Sequence, residues 1–596
     1  MTGQPLPQTG QPLPQDVQAA FARTLVDEWV RAGATDAVVC PGSRSTPLLI
    51  ALAEAAERGA LRVHSVLDER SAGFFALGLG LASGAPAPVV TTSGTAAVEL
   101  HPAMVEAHHA GVPMLAVTAD RPPELQDCAA PQTVHQVGLY GDAVRWEAAP
   151  GVPEPQAAGT WRALASRSVA EARGGARRPG PVHLNLAFRE PLIGSGEAFL
   201  SGHVGVLGHD GRPGGAPWHR VARPDELPPP RDVVDLLAGT GERGLIVAGA
   251  GAGSPEAVWQ LARAAAWPVL ASPPSGCRLP GAIAAADALL RTPLAQGWQP
   301  DVVLRLGAPW ASRVVNEWLA GLPCPQVLVD RWGTWGAPDH LPGDVVVASP
   351  EALCRAVAGA VPSGRGAAWA GRWSEAEEAA QSAIDSALVA EGVLTEPGVA
   401  RWLLRAAPAG ASVVVSSSMP VRDVESWSRP RAAVRVLANR GANGIDGVLS
   451  TALGVAAAGP RGDVFALLGD LAFLYDAGAL LVGGRDGPGR DLDVIVIDNG
   501  GGGIFNFLPP AATQPVERFE RMWAAPQRAD LSAVARAYGA EAEEVPDLGR
   551  LASALGDGKP GRGVRVLIAK TDRTDNVAVH RRLYAAVEAA VSGLAL

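Results

Sequence analysis

The chain has 596 residues, 47% of them hydrophobic, too long for one core and sufficient for about three domains of ordinary size. Its net charge is −10 with no long basic tract, which argues against nucleic acid and anionic membranes as partners. No apolar run reaches the roughly 18–20 residues of a membrane-spanning helix, and the first residues carry no secretion-type signal. Five cysteines (Cys40, Cys128, Cys277, Cys324, Cys354) lack CxxC spacing, which fits a reducing cytoplasm and suggests neither zinc nor a disulfide frame. Of 50 basic residues only Lys559 and Lys570 are lysine, so a single arginine carries less information here than usual.

Residues 1–15 contain a Pro/Gln-rich direct repeat, Thr2–Gln8 and Thr9–Gln15, expected to be a disordered tail. From Asp16 the periodicity predicts helix over 17–31, strand 36–40, helix 46–58, strand 62–66, helix 71–82, strand 88–92, helix 96–110 and strand 113–118. That alternation implies a mostly parallel sheet covered by helices. A Gly/Pro-rich stretch over 193–232 reads as a linker. A second α/β unit begins with a strand at 244–248, and Pro362–Gly366 marks a further boundary. The last region carries strands at 413–416, 464–468, 494–497 and 564–569. The expected organisation is three consecutive α/β domains over 16–195, 196–365 (linker included) and 366–596.

Strand ends concentrate the chemistry. Asp470 closes the apolar run Val464–Gly469, and Asn499 closes a second run that ends at Asp498 and opens the turn Gly500–Gly503. Parallel strands place both ends on one sheet edge, where α/β sheets bind ligands. A carboxylate, an amide oxygen and exposed backbone there suit Mg²⁺ holding a diphosphate. Glu69 stands in Leu67–Gly73 where a strand passes into a helix; the plain reading is a first-turn carboxylate favoured by the helix dipole. Cys40–Pro47 is a tight turn with Ser45 as expected helix cap, and it leaves Arg44 unexplained. Thr118–Leu125 sets Arg121 ahead of a rigid Pro122-Pro123 loop.

These segments occur in a fixed order with Thr92–Ala96, the pair Cys128 and Gln132, Asn439–Gly447, Leu449–Gly454, Gly469–Asp476 and Gly501–Pro509. The series resembles the 2-succinyl-5-enolpyruvyl-6-hydroxy-3-cyclohexene-1-carboxylate synthases of menaquinone biosynthesis, a family of thiamine-diphosphate enzymes. The likeness is specific in the N- and C-terminal thirds and loose in the middle. It implies decarboxylation of 2-oxoglutarate on thiamine diphosphate and addition of the succinyl carbanion equivalent to isochorismate. By position, Glu69 resembles the carboxyl that hydrogen-bonds the aminopyrimidine and activates the cofactor. Asp470, Asn499 and the carbonyl of Gly501 resemble the ligands of Mg²⁺ or Mn²⁺. Ser418, Leu471 and Ile504 fall at cofactor-binding positions, and Ile445 resembles the apolar wedge that bends the cofactor. Ser43, Arg44, Arg121, Gln132, Arg313, Ser418, Arg422 and Arg440 fall at substrate-binding positions. Guanidinium forks match the carboxylates of both substrates. The resemblance also implies a homodimer or homotetramer, with the cofactor between the N-terminal domain of one chain and the C-terminal domain of another.

At Leu471 the chain departs from thiamine-diphosphate enzymes at large, which carry glycine there, and resembles the menaquinone branch. It departs again at Asp498, Ser417 and Ser312, the last replacing one of a basic pair. The strand and turn at Leu245–Ser254 imitate a dinucleotide site, but no acidic residue follows the next strand at 268–271, and a helix-packing turn is the better reading. Ser93-Gly94-Thr95 lacks the GxSxG frame, and His101, His108 and His109 lack metal-ligand spacing. Two rivals stay open: another thiamine-diphosphate carboligase or decarboxylase resembling acetohydroxyacid synthase, and a non-catalytic cofactor sensor.

Overall fold

The computed structural model describes residues 13–175, 177–201, 210–222, 228–459, 462–482, 491–556 and 563–594. Most of the Pro/Gln repeat lies outside the described residues. Its last two residues are helical, because Pro14 opens the helix Pro14–Arg31 at a position where its missing N–H costs nothing.

Three parallel sheets organise the chain. The first contains β1 (Asp36–Val39), β2 (Arg62–Ser65), β3 (Ala87–Thr91), β4 (Met114–Asp120), β5 (Trp146–Ala148) and β6 (Pro181–Ala187), in the order β2-β1-β3-β4-β6-β5. The second contains β7 (Gly244–Ala248), β8 (Val269–Ala271), β9 (Val302–Leu306), β10 (Gln326–Val329) and β11 (Asp344–Val346), in the order β11-β10-β9-β7-β8. The third contains β12 (Ser412–Val415), β13 (Arg435–Leu437), β14 (Val464–Gly469), β15 (Leu492–Asp498), β16 (Glu541–Val545) and β17 (Val564–Lys570), in the order β13-β12-β14-β15-β17-β16. Counted from its own first strand, the third sheet repeats the order of the first. The second sheet shares the leading part of that order, which is the flavodoxin-like winding with its switch point between the first and third strands. Central strands such as β4, β6 and β7 are buried along their whole length; β7 accordingly reads as an apolar run, whereas β6 alternates apolar residues with the buried polar His183 and Asn185.

By contacts the described residues fall into two compact units. One takes those of Met1–Arg223, Asn439–Gly459 and Asp476–Arg490; the other takes those of Pro224–Ala438, Pro460–Tyr475 and Asp491–Leu596. The first unit holds the first sheet, and the second unit holds the other two. Among the described residues no helix is long and apolar enough to cross a membrane.

Local chemistry explains where the elements stop. The helix expected over 96–110 is broken at Leu100 into Thr95–Glu99 and His101–Ala110, since Pro102 is tolerated only in a first turn. The described part of the expected linker is not a free tether. The backbone N–H of Trp218 donates to Glu28 at 2.5 Å, and Phe199 packs on Trp161 at 5.7 Å between ring centroids. Beyond Pro362–Gly366, the helix Ala367–Glu391 buries Trp369 and Trp373 among side chains of β7, β8 and β9. The glycine turn after β7 is filled by protein. A Cβ on Gly249 would lie 1.7 Å from the carbonyl oxygen of Ala308, and the N–H of Ser254 donates to the Glu351 carboxylate at 3.1 Å. This agrees with a packing turn.

In the first unit the helices Glu69–Ser83 and Val448–Ala457 approach through Gly78 and Gly454. A Cβ on Gly454 would sit 2.1 Å from the carbonyl oxygen of Phe75, and one on Gly78 would sit 2.1 Å from that of Thr451. Backbone cannot yield as a flexible side chain would. Gly454→Val is therefore expected to cost about 1–3 kcal/mol by overpacking, read as a fall of several degrees in the thermal midpoint.

Candidate active site

In the third sheet, Asp470 follows β14 directly and opens the helix Asp470–Tyr475. Its Oδ1 accepts the N–H of Leu471 and its Oδ2 that of Gly501, both at 2.7 Å, which ties the ends of β14 and β15 together. Burial pushes this carboxyl up to about 6, against the pull of those two N–H groups. Asn499 follows β15 and is 8% exposed. Its Nδ2 donates to Glu396 Oε1 at 2.8 Å, while its Oδ1 is buried with no hydrogen-bond partner among the described residues. Gly501 has φ +130°, and a Cβ there would lie 2.3 Å from the carbonyl oxygen of Ala524, so only glycine fits. Its carbonyl accepts the N–H of Gly503 at 2.8 Å and retains a second lone pair. Arg573 donates to the carbonyl of Gly500 and fastens the turn to Glu520. Leu471 and Ile504 stand half-buried beside these groups in sequence.

One carboxylate, one orphaned amide oxygen and one backbone carbonyl fit a hard divalent cation. The orphan decides the fit, because a buried polar atom without a partner is costly unless something outside the chain satisfies it. Among the described residues no group of three His, Cys, Asp or Glu side chains is arranged for a metal.

Ser418, after β12, has φ +71°, an uncommon conformation for a non-glycine residue and one that marks a constrained site. Its carbonyl accepts Arg422 Nη1 at 2.6 Å, which brings these two candidates together. Ser417 is buried. Ser312 caps the helix Arg313–Ala320: its Oγ accepts the N–H of Val315 at 3.1 Å and donates to Asp287 at 2.5 Å, and its own N–H donates to Glu425 at 2.6 Å. The residue is thus committed to helix capping inside the second unit. Arg313 points into solvent, its side chain 88% exposed and paired with Glu317 at 2.6 Å.

In the first unit, Glu69 is the first residue of its helix, and Asp68 is the cap, accepting the N–H of Ser71 at 3.0 Å. Burial, with the charges of Asp68 and Glu99, raises the Glu69 carboxyl above the ordinary glutamate value. The helix start is anchored by Asp476. That carboxylate accepts the N–H of Ser450 at 2.7 Å, the Ser450 hydroxyl at 2.9 Å and the Ser71 hydroxyl at 3.3 Å, with Arg70 at 3.8 Å.

At the carboxyl ends of β1, β3 and β4 the structure assembles a basic corner. Arg121 donates to the Ser93 hydroxyl and, at 3.0 Å, to the carbonyl of Gln132; Gln132 Nε2 donates back to the carbonyl of Ser93 at 2.9 Å. Arg44 is 8% exposed, donates to the carbonyl of Phe188 at 3.0 Å and pairs with Glu190 at 3.3 Å. Burial first, then the charge of Arg44, lowers the Arg121 guanidinium. Ser43 is exposed on the same turn, and its carbonyl accepts the N–H of Thr46 at 3.0 Å. Ser45 occupies the cap position, but its hydroxyl donates to the carbonyl of Gly42 at 3.0 Å instead of capping, which corrects that expectation.

The turn carrying Arg440 and Ile445, both half-buried, is held by Glu106, which accepts the N–H groups of Gly441 and Ala442 at 2.6 Å each. Glu106 and Glu396 escaped the sequence reading because each stands in a helical pattern where a carboxylate is ordinary. His101 packs edge-on against Tyr140, and His108 is held by Arg145, so both serve packing.

Family models match along most of the chain: the thiamine pyrophosphate enzyme N-terminal TPP binding domain over residues 17–139, the middle domain of thiamine pyrophosphate over 215–415, and the C-terminal TPP binding domain over 420–569. With three wound sheets and oxygen donors gathered at the ends of β14 and β15, the class is that of thiamine pyrophosphate enzymes. Curated proteins named 2-succinyl-5-enolpyruvyl-6-hydroxy-3-cyclohexene-1-carboxylate synthase align almost end to end. The one from Myxococcus xanthus is 42% identical over 97% of this chain and 98% of its own length. That from Thermobifida fusca is 40% identical over 96% and 99%, and that from Bacillus velezensis 37% over 94% and 96%. The chain belongs to this synthase family.

Burial raises Asp476 to about 6, so the folded protein holds this proton more tightly than the unfolded chain. Its stabilising share is whole below the usual carboxylate range and is lost as pH rises through about 6. Asp476→Asn is expected to abolish that share, so the wild-type lead over the variant in thermal midpoint shrinks as pH rises from about 4 to about 7, spanning the interval between the unfolded value and the folded one. Asp476→Ala, which strands the Ser450 N–H, should cost about 1–3 kcal/mol at either pH.

Proposed function

We propose that the chain decarboxylates 2-oxoglutarate and joins the succinyl group to isochorismate, with thiamine diphosphate and Mg²⁺ or Mn²⁺, as a step of menaquinone biosynthesis. The observation that carries this reading is the match to synthases of that name over 97% of the chain at 42% identity. When bound, the cofactor supplies the electron sink that lets a 2-oxo acid lose carbon dioxide and its acyl carbon act as a nucleophile.

The chain's own residues then divide the work. Asp470, the free oxygen of Asn499 and the carbonyl of Gly501 hold the cation and, through it, the diphosphate. Leu471, Ile504 and Ser418 line the cofactor, and Ile445 wedges it. Glu69 offers its carboxyl to the aminopyrimidine ring nitrogen; its raised affinity for a proton supports that role, since a protonated carboxyl can donate. Arg44, Arg121 and Gln132 receive substrate carboxylates and hydroxyls, with Ser43, Ser418, Arg422 and Arg440 completing the set. Glu190, its side chain 65% exposed, can swing away from Arg44 when a substrate carboxylate arrives, because the incoming carboxylate replaces the charge it removes from the buried guanidinium. Nothing in the geometry supports Arg313 as a substrate contact.

Two observations favour this over the rivals. The two guanidinium groups of Arg44 and Arg121 at one sheet edge have no purpose for a small neutral acceptor, and a sensor needs no carboxyl at Glu69. We infer further a cytoplasmic homodimer or homotetramer, with Glu69 and the metal ligands of one site on different chains.

Purified protein given 2-oxoglutarate, isochorismate, Mg²⁺ and thiamine diphosphate is expected to yield the succinylated cyclohexene product, identified by mass; preferential consumption of pyruvate would overturn the reading. Glu69→Gln should lower kcat by about 10²–10⁴-fold while cofactor still binds. Sedimentation should find activity only in species of two chains or more.

A further inference from the structure

The metal end contains a carboxylate that no proposed step employs. Glu396 opens the helix Glu396–Ala406 and is 2% exposed. It is fixed by its own helix start, where Thr395 Oγ1 accepts the N–H of Gly398 at 3.1 Å. From there Glu396 Oε1 reaches across to Asn499 and accepts its Nδ2 at 2.8 Å.

A side-chain amide has two nearly isosteric ends, and its orientation follows from its partners. A carboxyl oxygen facing one end attracts the N–H and repels the carbonyl. Glu396 thereby turns Asn499 so that Oδ1, rather than Nδ2, is the buried atom without a partner. Gly503 leaves room for this arrangement, since a Cβ there would lie 2.6 Å from Asn499 Nδ2. Turned the other way, Asn499 would offer two hydrogens to a cation.

We propose that Glu396 is a positioning residue for the metal site: it fixes the Asn499 amide with its oxygen available to the divalent cation. This rests on the assignment of Asn499 as a metal ligand. The role needs an acceptor oxygen at residue 396 and does not need a charge, so glutamine should serve and an apolar side chain should not.

The test measures Mn²⁺ affinity in the presence of saturating thiamine diphosphate, from the electron paramagnetic resonance signal of free Mn²⁺, with no substrate added. Glu396→Met is expected to weaken Mn²⁺ binding by about 10–100-fold, the range of lost outer-shell contacts, and Glu396→Gln to restore most of it. Should the Met variant fail to fold, Glu396→Leu, which likewise offers no acceptor, replaces it. In an Asn499→Ala background the Glu396 substitutions should change nothing further. Wild-type affinity in Glu396→Met, equal weakening in Glu396→Gln, or losses that multiply with Asn499→Ala would each overturn the inference. If Asn499→Ala itself left Mn²⁺ affinity unchanged, the ligand assignment would fall instead.

Discussion

A parallel sheet delivers the carboxyl end of every strand to the same edge, and the chemistry of this protein depends on that constraint. Asp470 and Asn499 are neighbours because β14 and β15 pair in register from Phe465 with Asp493 to Gly469 with Ile497. Arg44, Ser93 and Arg121 gather for the same reason at the ends of β1, β3 and β4. Apolar strands buried on both faces set the register, and a slip of one residue would carry each polar side chain away from its place. Packing of the core therefore fixes where the oxygen donors and the guanidinium groups stand.

What the strand ends offer, buried carboxylates then hold in shape. Asp470 draws in the backbone of Gly501, Glu106 that of Gly441 and Ala442, and Asp476 that of Ser450. In each case an acidic side chain satisfies backbone N–H groups, of a turn or of the first turn of a helix, that have no secondary-structure partner. Desolvation opposes ionisation of all three, and the backbone hydrogen bonds oppose that effect. Rigid turns are obtained at the cost of carboxyls that titrate above their ordinary range.

Much of this was legible in the amino-acid order. Apolar runs ending at Asp470 and Asp498 announced strands and their chemical ends, and helix–strand alternation announced parallel sheets. Other features were hidden for physical reasons. The kinship in strand order between the first and third sheets leaves no trace in local periodicity, which records burial and not neighbours. The grouping of Asn439–Gly459 with the N-terminal residues depends on contacts between glycines far apart in the chain. Glu396 looked like any first-turn acid. The commitment of Ser312 to capping could not be separated from a lost substrate contact until Asp287 and Glu425 were seen against it.

The bias toward arginine has a consequence at the corner where Arg44 and Arg121 meet. Two neighbouring cations in a half-buried site would discharge one another were they lysines, whose ammonium groups shift readily when buried. Guanidinium resists: burial and Arg44 lower Arg121, yet an arginine starts far above neutrality and keeps its charge. The positive charge of this edge is accordingly insensitive to acidity across the biological range. The arginine corner thus acts as a fixed electrode beside carboxyls that do titrate.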